Sequence, residues 1–224
     1  KICNIKFVFL FMKKLLYEVI GNLYEIAFPK KLIKDRRSLL LVVLESCRYM
    51  MQNETVDHAD NIMVLVVNDM NRLFFCKEKK MYSIVFPFHT ECNQKNHFDL
   101  DGIDISPEMI SNLCTVIESE DFNQNSSFDF FSPILEREEE FSKDFWHILR
   151  YLMTYELGYI RYDDDIDGFK EAAKKGVPKQ HPRYHYDVNY SQQAAFKIGL
   201  DKTHTPDKFI QLLDDTLDRK SLRG

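Results

Sequence analysis

The stretch His181-Pro182-Arg183-Tyr184-His185-Tyr186-Asp187-Val188-Asn189-Tyr190 alternates between ionisable and mostly aromatic residues with a period of two. Successive side chains of a strand point to opposite faces. A strand here therefore carries His181, Arg183, His185 and Asp187 on one face and Tyr184, Tyr186, Val188 and Tyr190 on the other. Two flanking segments repeat the pattern. Tyr159 to Asp163 puts Arg161 and Asp163 on one side, and Ala195 to Leu200 sets Lys197 opposite Phe196, Ile198 and Leu200. If the three strands are neighbours, two Arg, a Lys, two His and two Asp share one side of a small sheet.

Composition decides what surrounds such a sheet. With 224 residues, 45% apolar and 29% charged, the chain is globular and long enough to bury a core as one large domain or two small ones. A net charge of -5 excludes the broad basic field of a general DNA coater, so a nucleic-acid contact has to come from a local basic patch. The five cysteines are odd in number and scattered, with no Cys-x-x-Cys. That argues against a secreted disulfide scaffold and for a reducing, cytoplasmic setting. The apolar run Phe7 to Met12 is too short to span a bilayer, and Lys13 and Lys14 follow it instead of preceding it. No membrane contact and no export signal are expected.

Read in order, the chain predicts an α+β protein with amphipathic helices packed on antiparallel strands. Apolar residues recur at helical spacing from Met12 to Ala27, and a second helix is expected from Lys31 to Gln52. The central run of that second helix, Leu39 to Leu44, is apolar on every side, which calls for a neighbour within the core or in a partner. Ile62–Val67, Leu73–Cys76 and Met81–Phe86 read as a three-stranded meander, followed by a polar loop from His89 to Asp104. Ser106-Pro107-Glu108 opens a capped helix that runs to about Glu118. The Asn-, Ser- and Phe-rich stretch Glu120–Ser132 is the best internal boundary. It separates residues 1–122 from 133–224, with one continuous domain as the alternative. A long helix from Glu136 to Leu157 stops at Gly158. The three alternating strands follow, separated by a loop from Asp164 to Gln180 with one helical turn, and a helix capped by Thr205 closes the chain.

Three constellations have the residue types that chemistry requires. His181, His185 and Asp187 on one strand face suit a divalent metal. They also suit general acid–base work, with Arg161, Arg183 and Lys197 holding a phosphate. The same residues equally describe the solvated face of an antiparallel sheet. Asp163, Asp165 and Asp167 before Gly168 match the first half of a calcium loop, but its twelfth position is Lys174 where a bidentate Glu belongs. His89, Cys92, His97 and Asp99 have a spacing that a loop can fold around zinc. The phosphate-cradling glycine motifs and the Gly-x-Ser-x-Gly elbow are absent, which removes the anchors of nucleotide-binding and serine-hydrolase readings.

With its His-Pro-x-x-His strand near the carboxyl end, the last third of the chain resembles uncharacterised bacterial proteins. The residues that carry the resemblance are Leu157–Asp163, His181–Tyr190 and Phe196–Leu200. It implies an accessory protein of the kind found beside ATPases and nucleases in phage-defence or toxin loci. Two functions are therefore expected from the sequence. The first is an accessory or assembly subunit whose amino-terminal helices dock a larger ATPase or nuclease partner. The second is a phosphodiester-cleaving effector, ribonuclease-like or metal-dependent, working from the His181, His185 and Asp187 face.

Overall fold

The computed structural model describes residues 13–29, 33, 35–67, 70–92, 96–119, 140–189, 195–214 and 217. In chain order the strands are β1 (Lys13–Glu18), β2 (Asn61–Val67), β3 (Arg72–Lys77), β4 (Lys80–Val85), β5 (His89–Cys92), β6 (Asn96–Leu100), β7 (Ile103–Asp104), β8 (Ile160–Asp164), β9 (Tyr184–Asn189) and β10 (Ala195–Leu200). The helices are α1 (Gly21–Ala27), α2 (Arg36–Gln52), α3 (Pro107–Glu118), α4 (Lys143–Thr154), α5 (Ile166–Lys174) and α6 (Pro206–Leu213). Seven strands make one antiparallel sheet in the order β1-β2-β3-β4-β8-β9-β10, and β5-β6-β7 make a smaller one. The α+β class is as expected. The expected meander and the carboxyl-terminal strand block meet where β4 pairs with β8, which joins them in a single sheet.

Each face of the large sheet has its own apolar core. On one face α1 and α2 lie over β1 to β4, with α3 against α2 and α4 against α3. Leu40, Val42, Val43 and Leu44 are fully buried there, and Leu39 and Leu41 are half-buried. The all-apolar run of α2 is thus consumed inside the chain's own core. On the other face α6 inserts Phe209 and Ile210 among Val64, Phe74, Tyr162 and Tyr186; Phe74 meets Phe209 edge-on at 5.7 Å. Burying a Phe or Leu fully contributes about 1.5–3 kcal/mol, so these two layers dominate stability.

Several expected elements take another form. Lys13–Glu18 is a strand and not the first turns of a helix. Leu15 and Tyr17 point into one core while Leu16 packs against the other, and a Leu-Leu pair fits either period. The second helix starts at Arg36, where Asp35 accepts a hydrogen bond from the Ser38 amide at 2.7 Å. The expected polar loop 89–104 contains the small sheet: Phe98 and Leu100 point inward between His97 and Asp99, an alternation too short to stand out. Helix α4 begins at its Ser142 cap, ends at Thr154, short of the expected Leu157, and buries Phe145, Ile148, Leu149 and Leu152; residues 136–139 lie outside the described residues. The boundary stretch 120–132 lies outside the described residues. The single turn expected between β8 and β9 is a nine-residue helix, α5. Ser106 and Thr205 cap α3 and α6 as expected. Among the described residues no helix is long and apolar enough to cross a membrane.

Candidate active site

One cross-strand row runs the full width of the large sheet. Tyr17, Met63, Phe75, Tyr82, Arg161, Asp187 and Lys197 stand each opposite the next on β1, β2, β3, β4, β8, β9 and β10. Directly opposite residues share a face. The first four are buried in the core beneath α1 and α2, and Tyr82 stacks on Phe75 at 4.7 Å. Beyond β4 the row becomes charged. A neighbouring row on the same face carries Lys80, Asp163, His185 and Gly199.

The charged residues converge. Arg161 Nη2 donates to Asp163 Oδ1 at 2.8 Å, and Lys197 Nζ donates to Asp187 Oδ1 at 2.6 Å. The same ammonium lies 2.8 Å from His185 Nε2, while His185 Nδ1–H donates to the Pro182 carbonyl at 2.8 Å. Asp187 Oδ2 is 3.6 Å from Nε2. His185 is 1% exposed and Asp163 6%, so this is not the solvated face of a sheet.

A fold-back segment lies across part of the face. Asp165 caps α5 through the Gly168 amide at 2.9 Å, and its other oxygen holds His181 Nε2 at 2.9 Å. A Cβ at Gly168 would collide with that imidazole. At Gly199 it would come within 2.9 Å of Pro182 Cγ, so glycine there lets Pro182 lie on β10 with its carbonyl over His185. Two openings flank the cluster. A cleft of about 510 Å³ on the β4 side includes Phe28, Lys80, Tyr82, Tyr159, Arg161 and Asp163. A groove of about 440 Å³ at the β10 edge includes Lys179, Gln180, Asp187, Phe196 and Lys197.

Burial and pairing compete differently at each group. For Asp187, burial opposes the anion, but His185 and the hydrogen bond from Lys197 outweigh it and hold the carboxyl down at about 2. For Asp163, burial outweighs Arg161 and raises the pKa. Arg161, whose charge burial also opposes, is shifted up by Asp163, to which it donates at 2.8 Å. For His185, burial and Lys197 disfavour the imidazolium while Asp187 and the Pro182 carbonyl favour it, and the net shift is upward. An ammonium 2.8 Å away needs the Nε2 lone pair, so the bonding described here is that of a neutral ring. When His185 takes up a proton, Nε2 becomes a donor and its partner is Asp187.

Not every expected residue joins the cluster. His181 and Arg183 precede β9: Pro182 lacks an amide and the strand starts after it. His181 is held by Asp165, its ring 5.0 Å from that of His185, and Arg183 Nε donates to Asp164 Oδ1 at 2.8 Å. Asp163, Asp165 and Asp167 do not converge, since Asp163 faces Arg161 and the other two belong to the start of α5. His89 pairs with Asp99 at 2.8 Å and His97 with Asp104 at 3.4 Å; the Cys92 side chain lies outside the described residues. Among the described residues, the group able to converge on one ion is Asp163, His185 and Asp187, whose donor atoms all lie within 4.8 Å of one another. Asp163 thus takes the place expected of His181. Sequence reasoning missed the Pro182 carbonyl, Asp164 and the Asp165–His181 pair; the proline alone signalled that the strand could not begin at 181.

Fold and site together define an antiparallel α+β protein whose main sheet ends in a buried, charged row. No protein-family model, no curated protein and no solved structure matches the chain.

Proposed function

We propose that the chain cleaves phosphodiester bonds at the Asp163, His185, Asp187 and Lys197 cluster, acting on a single-stranded nucleic acid laid along the β10 groove. The observation that carries this reading is the burial of Asp163 and His185 together with the near-burial of Arg161 and Asp187, whose own row is apolar from β1 to β4. Hydrophobic residues of similar volume would be as stable or more so there, which makes stability a poor reason for the charges. Lys179, Lys197 and the half-exposed Phe196 give the groove cations for phosphates and a ring for base stacking. A two-histidine, ribonuclease-like scheme has less support. His181 is engaged by Asp165, and both nitrogens of His185 have partners. In the supported scheme the cluster's acceptors orient the attacking water and Lys197 neutralises a phosphate oxygen.

The test is cleavage of labelled single-stranded RNA and DNA by the purified chain, with and without added Mn²⁺. Cleavage should fall by about 10²–10³-fold in Asp187→Asn and Lys197→Ala. No cleavage by the wild type, or full activity in both variants, overturns the reading.

The accessory-subunit reading, docking a larger ATPase or nuclease in a bacterial cytoplasm, keeps one observation. β10 is the outer strand of the sheet and presents Phe196 at 48% exposure. An inactive wild type whose assembly with a partner is lost in Phe196→Glu would favour it.

A further inference from the structure

We propose that Asp163, His185 and Asp187 form a divalent-cation site, and that the Lys197 ammonium occupies the cation's place until a metal displaces it. The proposal rests on the catalytic reading for its purpose but not for its geometry.

Three independent features of the cluster point to a cation. One nitrogen and two carboxylate donors lie within 4.8 Å of one another, a mixed set that suits Mn²⁺ or Zn²⁺. The imidazole is already oriented as in metal centres. Its Nδ1–H is committed to the Pro182 carbonyl at 2.8 Å, which leaves the Nε2 lone pair facing the carboxylates. The third feature is Lys197 itself. Its Nζ sits 2.8 Å from Nε2 and 2.6 Å from Asp187 Oδ1, so two of the three donors already hold a positive charge between them. Metal–ligand bonds of about 2.0–2.2 Å are shorter than these contacts, so a metal and the ammonium cannot share the seat.

Charge counting gives the exchange a direction. With Lys197 inside, Arg161 and Lys197 balance Asp163 and Asp187, and the buried set is neutral. Replacing the ammonium by a divalent ion leaves the set one unit positive, which an anionic oxygen completes. A phosphate in the groove supplies that oxygen. Lys197 is about a third exposed and lines the same groove, so it moves toward the ligand when it leaves the seat.

The experiment is a calorimetric titration of Mn²⁺ into the full chain, with Zn²⁺ as a second probe and metal-induced thermal shift as a second readout. Wild type should bind one ion per chain. Lys197→Met, which keeps the stem and removes the competing charge, should bind at least about tenfold more tightly. Asp187→Asn should bind at least about tenfold more weakly, and Asp163→Asn serves in its place if that variant does not fold. Absence of binding in both wild type and Lys197→Met overturns the site, and equal affinity in those two overturns the displacement. Binding is read without a cleavage assay. A chain that takes up Mn²⁺ and cleaves nothing supports this site and overturns the catalytic reading, whereas a chain that cleaves but binds neither metal does the reverse.

Discussion

The two ends of one cross-strand row differ in what burial does for them. At β1 to β4, Tyr17, Met63, Phe75 and Tyr82 are dry and covered by helices, and their burial drives folding. At β8 to β10, Arg161 and Asp187 are also largely withdrawn from water and Lys197 is partly so, yet burial there opposes charge and is offset only by pairing. Sheet, face and register are shared, so the backbone does not require the charges. The difference teaches that one end of the row is selected for packing and the other for what its charged groups can contact.

The comparison can be broken at either end. The largest effect is expected from Phe75→Ala, which removes a fully buried ring stacked on Tyr82 and should cost about 3–5 kcal/mol in denaturant unfolding. Cleavage per folded molecule should be unchanged, because Phe75 contacts none of the cluster. Next comes acid. The Asp187 carboxyl, held at about 2, contributes about 2 kcal/mol above its unfolded-state pKa, and this is lost as pH falls through 4 toward 2. Unfolding curves across that window should show the loss in wild type and not in Asp187→Asn. His185 has the opposite sign: its contribution is present at low pH and lost as pH rises through its raised folded value. The smallest stability effect is at Gly199→Ala. A Cβ 2.9 Å from Pro182 Cγ must push the fold-back segment away, at about 1–2 kcal/mol. Because the Pro182 carbonyl then leaves His185 Nδ1, Mn²⁺ affinity and cleavage should fall more than stability does.

The charged end of the row was easier to read from sequence than its surroundings. Arg161, Asp163, His185, Asp187 and Lys197 alternate with aromatic or aliphatic neighbours on short strands, and a period of two places each on a face without knowledge of the rest. What alternation does not carry is register. It therefore could not show that Asp163 stands opposite His185, or that Lys197 reaches past Asp187 to Nε2. His181 keeps the period and so joins the set in sequence, although Pro182 interrupts the strand, which starts at Tyr184. The adjacent apolar pair Leu15-Leu16 in β1 satisfies both the helical and the extended pattern; the choice is made by pairing with β2, whose partner residues lie 44 to 54 positions further along the chain. The small sheet is hard to read because His89 and Glu91 flank the one strand former Thr90, and its inward apolar residues, Phe98, Leu100 and Ile103, are few.

The most direct test is to make the charged end resemble the apolar one and measure stability and cleavage together. In the double variant Arg161→Met with Asp163→Leu, the buried pair becomes hydrophobic at similar volume. Unfolding free energy should be unchanged or higher by about 1–4 kcal/mol, while cleavage of single-stranded nucleic acid is lost. A double variant that is several kcal/mol less stable and cleaves as well as wild type would contradict the account, because the charges would then serve the fold.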